Sequence, residues 1–144
     1  MRVSKKSAEI ARRIEAFRGA KLPAHYLGYF DCFNRQQFYE AHDVLEDMWL
    51  PVRRDADGDF YKGLIQLAGA FVHVQKNRPG PAVALLDLAR TNLGKYPAIY
   101  HSLDIAAVFK VIGQWRERLV GVETTAGLLE TEDPPVLSPL ENEM

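Results

Sequence analysis

Residues 59–76 are the least polar stretch of the chain, and their apolar side chains follow a helical period. Leu64, Leu67, Ala68, Phe71 and Val74 cover one broad side, while Ile65 and Val72 cover part of the other. A helix apolar nearly all round has to be enclosed by other helices. The flanking sequence supplies them. Ile10, Ile14 and Phe17 form one stripe over 7–18, ended by Gly19. Pro23 suits the first turn of a second helix over 23–33, with Asn34 as its left-handed stop. A third helix spans 36–50 and is closed by Pro51. Asp55 or Asp57 is placed to cap the central helix by accepting from its free N–H groups.

A fifth helix, 81–95, starts at Pro81 and buries Val83, Leu85, Leu86, Leu88, Ala89 and Leu93. The last follows Asp104, with Ile105, Val108, Ile112, Trp115 and Leu119 on one stripe. No segment shows the alternation or the Val/Ile/Thr clustering of a strand. The expected fold is all-α, a single-domain bundle of five or six helices.

A weak internal echo refines this. Phe33, Arg35, Ala41, Val44, Leu45 and Glu46 recur 41 residues later as Val74, Lys76, Ala82, Leu85, Leu86 and Asp87. Each copy reads as a helix, a short turn and a second helix. Two stacked helical hairpins are the implied core, in the manner of tetratricopeptide-like arrays.

At 144 residues the chain can bury a core without staples, and 47% apolar against 26% charged residues excludes wholesale disorder. Cys32 is the only cysteine, so no intrachain disulfide can form; between Phe30 and Phe33 it reads as a packing residue. Beyond Val120 the composition shifts to Glu, Thr and Pro. The expected layout is a helical domain over 1–120 and an acidic tail over 121–144, disordered or loosely draped from Glu130 onward.

That tail holds six acids and no Lys or Arg, whereas the first 21 residues hold seven basic side chains against Glu9 and Glu15. A solvated helix face explains the basic excess better than a nucleic-acid footprint. No apolar run approaches the roughly 18 residues of a membrane span, and the N-terminus lacks the apolar centre of a signal peptide. The expected compartment is the cytoplasm. The expected partner is a small molecule or a peptide, with a homo-oligomer left open.

Chemistry concentrates on two helix faces. At about 100° per residue, His42, Leu45, Glu46 and Trp49 share one stripe of the third helix. Ala41, Val44 and Met48 form its packing face, and Glu40, Asp43 and Asp47 point the other way. On the central helix Gly63, Gln66, Ala70 and His73 form a second stripe, whose small residues invite close approach of another helix. Gln66 and His73 then need polar partners inside the seam.

Two imidazoles, a carboxylate and an amide, with no thiolate, suit Zn²⁺, Mn²⁺ or Fe²⁺. His42, Glu46 and His73 are the candidate metal ligands, with Gln66 and Trp49 supporting them. Such a centre would support hydrolysis, and Glu40 or Glu46 could act as general base. A purely structural hydrogen-bond network is the competing reading, because His-x-x-x-Glu on a helix is common. The echo places Val83 where the first hairpin has His42, so packing alone does not require a histidine there. His25 and His101 lie near helix starts or loops and are assigned no role. Trp115 reads as a core anchor. Neither a phosphate loop nor a nucleophile elbow is present.

The run Phe33-Asn-Arg-Gln-Gln-Phe-Tyr-Glu-Ala-His-Asp-Val-Leu-Glu-Asp-Met-Trp49, followed by Phe60-Tyr-Lys-Gly-Leu-Ile-Gln-Leu-Ala-Gly-Ala-Phe-Val-His73, resembles the small helical proteins catalogued as domain of unknown function 309. The matching residues are Phe33, Asn34, Glu40, Ala41, His42, Glu46, Trp49, Gly63, Leu64, Ile65, Gln66 and His73. The resemblance covers about 23–96, continues more weakly to about 119, and stops before the acidic tail. It implies an all-helical bundle. Some members carry the label of metal-dependent hydrolase, which implies that activity here; a non-enzymatic interaction module is the alternative. Family members usually have a short Gly-Asn turn where this chain has Asn77-Arg-Pro-Gly-Pro81, so a stiffer turn is expected.

Overall fold

The computed structural model describes residues 5–140. α1 (Lys5–Ile14) buries Ile10 and Ile14, and Gly19 at φ +86° turns the chain toward α2 (Ala24–Asn34). Then come α3 (Phe38–Trp49), α4 (Gly58–Gln75), α5 (Pro79–Leu93), α6 (Ile105–Leu119) and a single turn, α7 (Leu128–Thr131). α2 packs on α3, α4 packs on α5, and α3 against α4 joins these two hairpins, with α6 laid on α5. The fold is all-α, as the helical periods require.

α4 is the central helix. Phe60, Leu64, Leu67, Ala68, Ala70 and Phe71 on it are fully buried. Phe71 stacks on Phe38 with ring centroids 5.1 Å apart and meets the edge of Trp115 at 5.2 Å, which ties α3 and α6 to it. The buried Tyr29 hydroxyl donates to the Leu64 carbonyl at 2.7 Å. Cys32 is buried, and burial pushes its thiol pKa up, as suits a packing residue.

The two hairpins turn alike. Gln36 and Asn77 take left-handed φ values of 62° and 59°. The N–H of Gln37 donates to the Cys32 carbonyl at 2.9 Å, and that of Arg78 donates to the His73 carbonyl at 2.9 Å. The offset in both comparisons is that of the sequence echo. A left-handed residue closing a helix this way satisfies carbonyls that would otherwise lack donors.

Several local expectations are corrected. The left-handed stop of α2 is Gln36, not Asn34. Asn34 is helical, and its amide donates to the Leu137 carbonyl at 2.7 Å and accepts from the Leu137 N–H at 2.8 Å. Asp57 makes no cap bond to α4. Its carboxylate accepts from the Tyr100 hydroxyl at 2.6 Å and bonds His101 Nε2 at 2.8 Å. His101, assigned no role from sequence, therefore closes a clasp, its ring stacked 6.0 Å from that of Tyr61.

A small antiparallel pair, β1 (Ile99–Tyr100) with β2 (Leu103–Asp104), is also present. His101 and Ser102 at φ 47° and 59° form its turn, a shape that Asn-Gly usually signals and His-Ser does not. Asp104 caps α6 by accepting from the Ala107 N–H at 3.2 Å.

Residues 121–140 lie against the bundle. The Thr125 hydroxyl donates to the Val74 carbonyl at 2.6 Å, its N–H donates to Asn77 Oδ1 at 2.7 Å, and Leu129 and Leu137 are buried. Glu141 and Glu143 of the acidic tail lie outside the described residues. Among those described, no helix is long and apolar enough to cross a membrane.

Candidate functional site

α3 divides the candidate residues between two sides. On the side facing α1, His42 Nδ1 lies 3.2 Å from Asp43 Oδ1, and the Lys6 ammonium lies 3.4 Å from Asp43 and 3.6 Å from Glu46. Burial opposes the charge on Lys6, but Asp43 and Glu46 outweigh it and raise the ammonium pKa above its ordinary value. Glu40 faces this side too, in a recess shared with Lys6, Glu9 and Arg13.

One ligand atom each from His42, Asp43 and Glu46 falls within 4.8 Å of the others. Donor atoms about 2.0–2.2 Å from a common ion stand up to roughly 4 Å apart, so small side-chain rotations would close this set on a divalent cation. All three side chains are partly exposed. The Lys6 ammonium already shows that a positive charge is held beside the two carboxylates.

The adjoining side, which shares Tyr39 with that recess, opens into a cavity of about 280 Å³ among α3, α4 and α5. Tyr39 and His42 line it from α3, Gln66, Gly69 and His73 from α4, and Leu85 from α5, with Lys76 at its rim. The Tyr39 ring stands over that of His42 at 6.4 Å. Gln66 Oε1 accepts from Asn92 Nδ2 at 2.7 Å. His73 Nδ1 is sealed from solvent and has no hydrogen-bond partner among the described residues. Burial, then Arg78 and Lys76, lower the His73 pKa below its ordinary value.

The sequence-level candidates are thus distributed. His42, Gln66 and His73 line one cavity; Glu46 and Glu40 lie on the α1 side and are absent from its lining. His73 does not join the cluster of His42 and Glu46; Asp43 does. Trp49 sits at the end of α3, where its Nε1–H donates to the Gly58 carbonyl at 2.9 Å and anchors the α3–α4 connection.

The small residues of α4 serve α5. A Cβ on Gly63 would lie 2.9 Å from Leu93 Cγ, and one on Gly69 would lie 3.2 Å from Leu85 Cδ1. The helix admitted closely by Gly63 of the stripe, and by Gly69 outside it, is therefore α5, while α3 meets α4 through the aromatic contact of Phe38 and Phe71.

Periodicity alone missed Asp43 and Lys6. Asp43 was assigned to the outer face because successive helical residues point about 100° apart. Its short side chain nevertheless reaches back to the flat ring of its neighbour. Lys6 belongs to a helix whose placement depends on how Ile10 and Ile14 pack.

Fold and geometry together define an all-helical pair of hairpins with a His-carboxylate cluster on α3 and a small cavity beside it, His42 belonging to both. Residues 26–85 match the family model described as Domain of unknown function (DUF309), the family that the sequence resembles. No curated protein and no solved structure matches the chain.

Proposed function

We propose that the chain is a divalent-metal-dependent hydrolase whose centre lies on α3, with the α3–α4–α5 cavity as its substrate site. The observation that carries this reading is the position of His42, which belongs both to the donor cluster and to the cavity wall. An ion held by His42, Asp43 and Glu46 would stand at the edge of the cavity. Three nitrogen and oxygen donors without a thiolate suit Zn²⁺, Mn²⁺ or Fe²⁺ and leave further coordination positions open. When bound, the ion supplies Lewis acidity for hydrolysis.

The chain's own residues do the rest. While no ion is bound, Asp43 holds the His42 imidazole through its contact with Nδ1. Lys6 balances the carboxylates while no ion is bound. Ile65, Val72 and Leu85 give the cavity apolar walls that limit water. Glu40 has no part in this scheme, since it faces Arg13 and Lys6 rather than the cavity.

The matched turns at Gln36 and Asn77 favour a second reading, a non-enzymatic hairpin module in which the polar cluster only fastens α1 to α3. Metal analysis of protein purified without a histidine tag separates the two. The hydrolase reading expects Zn²⁺, Mn²⁺ or Fe²⁺ to be retained or taken up, and a protein that takes up none of them rejects it.

A further inference from the structure

The polar lining of the cavity has a fixed sense that follows from a chain of hydrogen bonds behind it. The Lys95 ammonium can only donate, and it donates to Asn92 Oδ1 at 3.1 Å. Asn92 must then present its NH₂, which donates to Gln66 Oε1. Gln66 is left with its own Nε2–H₂ to offer, and that group has no partner among the described residues. An amide whose O and N could otherwise be exchanged is thereby oriented as a donor.

His73 has a similar constraint. Its Nδ1 is sealed without a partner, and a buried lone N–H is the rarer and costlier case, so the neutral ring carries its proton on Nε2. The protonated ring carries one there as well. Either way Nε2 is a donor. The Lys76 ammonium, at the rim, makes no hydrogen bond or ion pair among the described residues. No Asp or Glu lines the cavity.

We propose that this cavity binds a small carboxylate with a compact apolar body, its carboxylate held by Lys76, Gln66 and His73. As the substrate class of the site, this rests on the hydrolase reading above; as a binding property it stands on the cavity alone. Volume sets the size. At about 30 Å³ per water, 280 Å³ holds about nine waters, or a body of roughly ten non-hydrogen atoms. Ile65, Val72, Leu85 and the Tyr39 ring suit a branched or aromatic group. One lysine and no arginine favour a monoanion over a phosphate dianion.

The test uses the full chain in EDTA, so that no metal contributes. Phenylacetate and 4-methylpentanoate are titrated calorimetrically beside their neutral amides and inorganic phosphate, with nitrogen-labelled protein to map the site. The carboxylates should bind at the cavity, with the amides roughly tenfold weaker. Lys76→Met, at an exposed position, should bring the carboxylates down to the amides while leaving the amides unchanged. Asn92→Asp, which can only accept, should turn the Gln66 carbonyl toward the cavity and weaken the carboxylates as well.

Equal binding of acid and amide, no binding of either carboxylate, tighter binding of phosphate, or indifference to both substitutions overturns the proposal. Carboxylate binding by a protein that takes up no metal leaves this inference standing and removes the hydrolase. Metal uptake without carboxylate binding does the reverse.

Discussion

The ammonium of Lys6 lies 3.4 Å from Asp43 Oδ1, the same oxygen that lies 3.2 Å from His42 Nδ1. A single carboxylate therefore links α1 to the histidine on α3. Lys6 is more than half exposed, so holding it there contributes little to stability. It is a replaceable cation at a place where another cation could bind.

The first prediction follows from that competition. Lys6→Met should tighten Zn²⁺ or Mn²⁺ binding by up to about fivefold, the equivalent of the roughly 1 kcal/mol an exposed ion pair supplies. Calorimetric titration of both proteins at low salt checks it. Unchanged or weaker affinity in the variant would show that Lys6 does not compete for the site.

His42 is about one-third exposed, and its ring is hydrogen-bonded only to Asp43 among the described residues. His42→Ala should therefore cost less than about 1 kcal/mol of stability, because little is left buried without a partner. Urea denaturation measures this. A loss of 1–3 kcal/mol would favour the structural network over the site.

Asn34 holds Leu137 by two hydrogen bonds across 103 residues of sequence. Asn34→Ala should cost about 1–2 kcal/mol and raise amide exchange at Leu137, while exchange in α4 stays protected. Exchange at Leu137 matching the parent protein would mean that burial of Leu129 and Leu137 and the bonds of Thr125 hold the tail without Asn34.

His73 makes stability depend on pH. Burial, then Arg78 and Lys76, hold its pKa below the ordinary 6.5. The unfolded chain takes up a proton near 6.5, whereas the folded chain waits for a lower pH. The resulting stability is full above 6.5 and is lost as pH falls from there through the folded pKa. His73→Gln should flatten this dependence, so denaturation at pH 7.5 and 5.5 should show a smaller drop for the variant. Equal drops would assign the acid sensitivity to other groups.

The helices were legible because burial on α4, α5 and α6 follows a helical period with few breaks, and Pro23, Pro51 and Asp104 mark ends. The hairpin pair was legible through the 41-residue echo, which the turns at Gln36 and Asn77 repeat in backbone form. What escaped depends on distant or unusual partners. The amide of Asn34 carries no sign of Leu137, and Asp57 looked like a helix cap until Tyr100 and His101 were brought beside it.

The same division holds for the candidate site. His42, Gln66 and His73 fell on helix stripes that could be drawn from spacing. Asp43 is one residue from His42 and was placed on the wrong side by the period. The Lys95–Asn92–Gln66 chain needs the register of α5 on α4, which Gly63 and Leu93 set by close packing and no local pattern encodes.

The most direct measurement is the metal content of tag-free protein after incubation with Zn²⁺, Mn²⁺ or Fe²⁺ and removal of the excess. The account predicts one ion per chain, lost in a folded Asp43→Asn, Glu46→Gln double variant. A parent protein that takes up no ion, or a double variant that takes up as much as the parent, would contradict it.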